Sequence, residues 1–238
     1  MGKNKKISVG VIGKNFGYNV IYKALSKNRL FKVKSFCVRN KKNIPDFPKN
    51  IKVTTNWKKL ISDKKIKAIF LAIPPYLQTK MLNFAAKYNK HIFCEKPCTK
   101  SYNDLQKILN LINSKTSFVS HMANYTLAYL PAFQFLKQQI VSKKIKIKEI
   151  DLEWIIYSKS RPKNWKNYHK KGGGILFNFY CHSLYYIELL FGEIFSTKVR
   201  IENKASSKNN FVIGDIILNS GIKINVKLLV GSLRKHKK

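Results

Sequence analysis

The chain has 238 residues, with 47 lysines plus arginines against 11 aspartates plus glutamates, a formal charge of +36. That length holds one large domain or two modest ones, and 45% hydrophobic with 13% aromatic residues excludes intrinsic disorder despite the charge. No stretch approaches the roughly 20 apolar residues of a membrane span, and the apolar run after the basic start is broken by Gly13-Lys14-Asn15, a poor signal peptide, so a cytoplasmic protein with no membrane partner is expected.

The first half alternates strand and helix signals. Lys6 to Ile12 reads as a strand ending in a glycine-bearing turn, and Tyr18 to Leu25 as the following helix. Phe31 to Val38, a short piece near Val53, Lys67 to Ile73, His91 to Cys94 and Ser117 to His121 read as further strands. Between them, Trp57 to Ile61, Thr79 to Tyr88 and a segment capped by Ser101 and running to about Ile112 carry helical spacing. Short apolar strands separated by helices predict a doubly wound parallel sheet, an α/β domain over 1–122.

The second half, 123–238, has a different order. Pro131 opens a helix over Ala132 to Val141, and Lys146 to Tyr157 is a long strand candidate. A polar loop leads to Gly172-Gly173-Gly174 and a helix over Ile175 to Phe191. Thr197 to Glu202, Phe211 to Leu218 and Ile222 to Val230 follow as strands, the last two joined at the hairpin signal Asn219-Ser220-Gly221. This predicts an open, mostly antiparallel α+β domain.

The turn after the first strand holds Gly13, Lys14, Asn15, Phe16 and Gly17. A dinucleotide fold needs glycine there so that backbone can approach a pyrophosphate at a helix N-terminus. The GxGxxG pattern is incomplete, because Asn15 takes the second glycine's place and Gly17 comes one residue early; Asn15 is expected to serve because asparagine tolerates positive φ. NAD-binding domains place an acidic residue about 20 positions on, but the first acidic residue here is Asp46. Arg39 stands near the end of the second strand instead and suits a 2′-phosphate. NADP is therefore expected ahead of NAD.

The charge itself does not indicate a nucleic-acid partner. Only five basic residues are arginine, the residue whose planar fork reads bases, and the aromatics are not interleaved with the lysines as in an RNA-recognition motif. Compositional drift explains scattered lysines among Asn and Ile, with weak, salt-dependent retention on polyanions as its consequence. Cys37, Cys94, Cys98 and Cys181 form no CxxC pair, so reduced, mostly buried thiols and no metal are expected.

Three stretches carry a resemblance to a known family. AIPPYLQTKMLNFAAKYNKHIFCEKP, from Ala72 to Pro97, resembles the strand–loop–helix–strand segment of the glucose–fructose oxidoreductase/inositol dehydrogenase (Gfo/Idh/MocA) family, which ends in Glu-Lys-Pro. GGGILFNFYCHSLYYIELLFG, from Gly172 to Gly192, resembles the family's glycine-rich turn and helix, and NYTLAYLPAFQFLKQQI its interdomain helix. The resemblance implies an NAD(P)-dependent oxidoreductase acting on a sugar or nucleotide sugar. Lys96 matches the lysine near nicotinamide and substrate hydroxyl, and His182 the histidine that takes the hydroxyl proton. Asn178 takes the place of that motif's aspartate. Ile73, Pro74, Pro75 and Glu95 are implied at the cofactor; Asn124, Arg161, Trp165 and Tyr168 are candidate substrate contacts beside Lys96, Asn178 and His182.

This chain departs from the family pattern in four ways. The family's common histidine after Pro-Pro is Gln78, its customary aspartate three residues past the histidine is Tyr185, and Asn178 cannot titrate. Family members also continue beyond the equivalent of Val230, so either a truncated gene or a shortened second domain is expected. The latter would leave a sheet edge that needs a partner and so a homo-oligomer through the C-terminal sheet. The same departures support an alternative expectation, a non-catalytic cofactor- or sugar-binding member.

Overall fold

The computed structural model describes residues 6–42, 44, 46–114, 119–142, 144–157, 164–203 and 210–231. The chain divides into two compact units, Met1–Asn124 and Tyr125–Lys238.

In the first unit the described residues form six parallel strands: β1 (Ile7–Ile12), β2 (Phe31–Cys37), β3 (Lys52–Thr54), β4 (Ala68–Leu71), β5 (His91–Glu95) and β6 (His121–Asn124). Their order is β3-β2-β1-β4-β5-β6. The central strands read as apolar runs because helices cover both faces. Val9, Val11, Ile69 and Leu71 are wholly buried, each stabilising the fold by about 1.5–3 kcal/mol over exposure. One face carries a π-type segment, Gly17–Tyr22, running into α1 (Lys23–Lys27), with Ile21 and Leu25 packed on Val9, Val33 and Phe36. The other carries α2 (Trp57–Ser62), α3 (Pro75–Lys87) and α4 (Tyr102–Asn113). The Asn56 side chain caps α2 by accepting from the Lys59 N–H at 3.0 Å, and Ser101 caps α4 by accepting from the Asp104 N–H at 3.2 Å.

Three local expectations are corrected. Strand β6 is His121–Asn124 rather than Ser117 to His121, with 115–118 outside the described residues. Pairing with β5, Ile92 to His121 through Glu95 to Asn124, fixes it, not the apolarity of Phe118-Val119. Helix α3 begins at Pro75 rather than Thr79, because proline fits the first helical position, where no intrahelical donor is needed. Asn15 does not take a positive φ: Asn89 is the described non-glycine residue that does, and Gly13 turns the chain at φ +128°.

The second unit has α5 (Pro131–Val141), β7 (Glu149–Tyr157), a π-type segment Leu176–Tyr180 entering α6 (Cys181–Phe191), then β8 (Ile194–Asn203), β9 (Asn210–Leu218) and β10 (Lys223–Gly231). The described strands make a four-stranded sheet in the order β7-β10-β9-β8. The β8–β9 and β9–β10 pairs are antiparallel and β10–β7 is parallel. The last hairpin turns at Gly221, φ +82°. Tyr180 and Ile187 pack on Val212, Ile216, Ile224, Val226 and Leu228. Gly214, in mid-β9, lies under the Tyr180 ring, where an added Cβ would collide with the phenol oxygen. Strand β10 sits inside the sheet, so its edges, among the described residues, are β7 and β8 and not the last strand.

Candidate active site

Because the six strands of the first unit are parallel, their carboxyl ends share one edge of the sheet. Gly13–Gly17 follow β1, Arg39 follows β2, Ile73–Pro75 follow β4, Glu95–Pro97 close β5, and Asn124 ends β6. Strand order reverses between β1 and its neighbours β2 and β4, the switch point where open α/β sheets bind ligands. The turn after β1 fits a pyrophosphate. The Gly13 N–H donates to the Cys37 carbonyl at 3.0 Å, and an added Cβ would drive into the Ala72 carbonyl. Gly17 is less constrained: a methyl there would meet Ala72 Cβ at 3.5 Å and Val11 Cγ1 at 3.6 Å, ordinary contact. Lys14, Asn15, Phe16 and Arg39 are exposed, and the Lys14 ammonium donates to the Lys42 carbonyl at 3.1 Å. Gly13–Gly17 could hold the pyrophosphate of a dinucleotide.

Lys96 lies in the turn just past β5, partly buried, and its backbone is fixed from α3. Gln78, fully buried, donates its Nε2 to the carbonyls of Glu95 (2.6 Å), Pro97 (3.2 Å) and Cys98 (3.1 Å). Three acceptors around one nitrogen settle the amide's orientation and leave its buried Oε1 without a hydrogen-bond partner among the described residues. The Glu95 carboxylate accepts from Asn124 Nδ2 at 2.5 Å. Gln78→Leu is expected to cost at least about 2 kcal/mol, since it strands buried carbonyls worth about 1–3 kcal/mol each. Urea unfolding measures this, and Gln78→His should recover part of it.

In the second unit, Gly172 (φ +78°) and Gly174 (φ +91°) bracket Gly173, whose added Cβ would lie 2.5 Å from the Trp165 carbonyl and 2.6 Å from that of Lys166. The loop carrying Trp165 and Tyr168 is thereby sewn to the helix that bears His182. The Gly174 N–H donates to the Lys166 carbonyl at 2.7 Å, and Asn178 Nδ2 donates to the Lys166 and Gly174 carbonyls, both at 2.9 Å. Asn178 thus anchors a loop, a task for an amide donor that a carboxylate could not perform. Trp165 is half-buried and Tyr168 exposed, the latter under the Lys171 ammonium 4.7 Å from its ring centre.

The His182 ring is walled by Tyr125, Trp154 and Tyr186, with centroids 5.5, 5.7 and 5.9 Å away. Its Nδ1 lies 3.4 Å from the Tyr186 hydroxyl, which also accepts the Leu127 N–H at 3.2 Å. Burial pushes the Tyr186 hydroxyl above its ordinary pKa, so it stays protonated at neutral pH. Tyr185, in the customary aspartate's place, stacks on Tyr125 at 3.9 Å.

Arg161 lies outside the described residues. Sequence reasoning passed over Gln78 as an anchor and Tyr186 as the partner of His182. The i,i+4 spacing of His182 and Tyr186 on α6 was the signal for the second; nothing local signalled the first.

The profile described as "Oxidoreductase family, NAD-binding Rossmann fold" matches residues 7–122, and "Oxidoreductase family, C-terminal alpha/beta domain" matches 137–218. An uncharacterized oxidoreductase of Synechocystis sp. is 25% identical over 199 residues, 81% of this chain and 53% of its own length. The 2,7-anhydro-N-acetylneuraminate hydratase of Escherichia coli K12 is 26% identical over 199 residues, 82% and 52%. The chain thus spans about half the length of these curated relatives. Among solved structures, levoglucosan dehydrogenase in complex with NADH and L-sorbose superposes with a TM-score of 0.80 at 19% identity, over 94% of this chain and 67% of that one. The biliverdin reductase of Synechocystis sp. with biliverdin and NADP+ gives 0.78 at 17%, over 97% and 74%. Both domain profiles match in order on a six-stranded parallel sheet and a mixed four-stranded one, and the chain belongs to the Gfo/Idh/MocA oxidoreductase family.

Proposed function

We propose that this chain is an NAD(P)-dependent oxidoreductase that moves hydride between nicotinamide and a hydroxyl or keto carbon of a sugar or other polyhydroxy compound. The observation that carries the reading is the fixed turn at Glu95–Pro97. Three carbonyls held by Gln78 set the backbone around Lys96 at the sheet edge that also carries the glycine turn. Similarity to a levoglucosan dehydrogenase (28% over 87 residues) supports the substrate class.

The nicotinamide, when bound, exchanges hydride with the substrate carbon. Lys96 would donate to the reacting oxygen and His182 would take the hydroxyl proton as hydride leaves. The Tyr186 hydroxyl, near His182 Nδ1, would steady the ring and leave Nε2 to meet the substrate. Arg39 would receive a 2′-phosphate, favouring NADP.

The reading is tested by titrating the full chain with NADPH and NADH in moderate salt, followed by nicotinamide emission, and then screening sugars for cofactor reduction. Saturable binding, tighter for NADPH, with sugar-dependent reduction supports it. Binding without any turnover would favour a non-catalytic member, consumption of sugar with no net change in nicotinamide would overturn net oxidation, and no binding by the folded protein would remove the cofactor itself.

A further inference from the structure

Two of the four cysteines flank Lys96. Cys94 ends in the buried part of β5, and Cys98 follows the Glu95–Pro97 turn. Their sulfurs lie 3.5 Å apart, with the Cys94 thiol donating to Cys98 Sγ, and Gln78 grips the carbonyls of Glu95, Pro97 and Cys98 from one side. We propose that Cys94 and Cys98 form a redox-active dithiol that a peroxide converts to a disulfide closing a ring around Glu95, Lys96 and Pro97.

The pair is asymmetric in the way such chemistry requires. Cys94 is buried, 4% exposed, whereas Cys98 reaches the surface in part. The hydrogen bond from Cys94 lowers the pKa of Cys98, and the same bond with burial raises that of Cys94 well above the ordinary thiol range. Cys98 is therefore the attacking sulfur and Cys94 the one that resolves. The other two cysteines sit in different surroundings: Cys37 is buried, with its thiol pushed up to about 11 by burial, and Cys181 donates to the Phe177 carbonyl at 3.0 Å. They serve as internal controls.

The steps balance. The Cys98 thiolate attacks one peroxide oxygen, the O–O bond breaks, and Cys98 becomes a sulfenic acid while the other oxygen leaves with a proton as water. The Cys94 sulfur then attacks Cys98, the S–S bond forms as S–O breaks, and the Cys94 proton departs with that hydroxyl as a second water. Two thiols lose two electrons and one peroxide becomes two waters; a small-molecule dithiol reverses the change. Closure needs the sulfurs to approach to about 2 Å.

The test is thiol counting on the full chain and is independent of any turnover. After brief exposure to a few equivalents of hydrogen peroxide, maleimide labelling in denaturant should find two thiols lost. The peptide spanning both residues should be lighter by two hydrogens, and dithiothreitol should restore both labels. Oxidation at Cys98 should outrun that at Cys37 by about tenfold or more. Cys94→Ser should leave a sulfenic acid at Cys98 that dimedone traps. Four surviving thiols, oxidation of Cys37 or Cys181 ahead of Cys98, or over-oxidised Cys98 beside reduced Cys94 would each overturn the proposal.

Discussion

Lys96→Ala is expected to lower sugar-dependent turnover by about 10²- to 10⁴-fold, the usual contribution of a positioned proton donor or acceptor. Cofactor affinity should change by no more than a few-fold. The turn is held through backbone carbonyls, to which Gln78 donates, so truncating the Lys96 side chain leaves those bonds in place. Binding of NADPH and the urea midpoint of the variant should therefore stay near those of the parent while kcat collapses. Turnover within threefold of the parent would remove Lys96 from the chemistry. A parallel loss of cofactor binding would instead assign it to binding. Gln78→Leu provides the contrast, since it should lower stability and turnover together.

Gly13→Ala should be the most damaging small substitution in the first unit. At φ +128° an L-side chain is strained by about 1–3 kcal/mol, and the new Cβ would run into the Ala72 carbonyl. That carbonyl belongs to backbone on the neighbouring strand end, tied by the Ala72 N–H to the Ile12 carbonyl at 2.8 Å, so it cannot step aside as a flexible side chain would. Overpacking of this kind adds about 1–3 kcal/mol. A total of about 2–6 kcal/mol is expected in urea unfolding of the first unit's signal, with NADPH binding lost in whatever protein still folds. Gly17→Ala is the control, because its methyl finds ordinary contact distances and helical backbone favours alanine. If the two variants lose equal stability, the steric account of Gly13 is wrong.

The glycine turn shows where local reading and tertiary structure part. Asn15 was expected to adopt a positive φ, yet it belongs to the first helical turn, and Gly13 alone among Gly13–Gly17 carries the reversal. The departures from the family pattern divide in the same manner. Gln78 reads in sequence as a missing histidine, while in the fold it is a buried anchor for the Lys96 turn, a role set by 17–20 residues of intervening chain. Asn178 reads as a catalytic carboxylate turned amide, and its amide donates to the Lys166 carbonyl of the Trp165 loop and to the Gly174 carbonyl one turn back.

What the sequence by itself determined is the alternation of apolar strands and helices in the first half, the hairpin at Asn219–Gly221, the Glu-Lys-Pro and Gly-Gly-Gly motifs, and hence the family. These are short-range signals: side-chain period, turn chemistry and motif spacing act over a few residues and survive in a single chain. The tertiary structure alone decided that Cys94 and Cys98 face each other, that Gln78 grips three carbonyls, that Tyr186 meets His182 while bonded to Leu127, and that β6 is His121–Asn124. Each depends on which elements become neighbours, and that is fixed by burial summed over the whole sheet rather than by any residue's local preference.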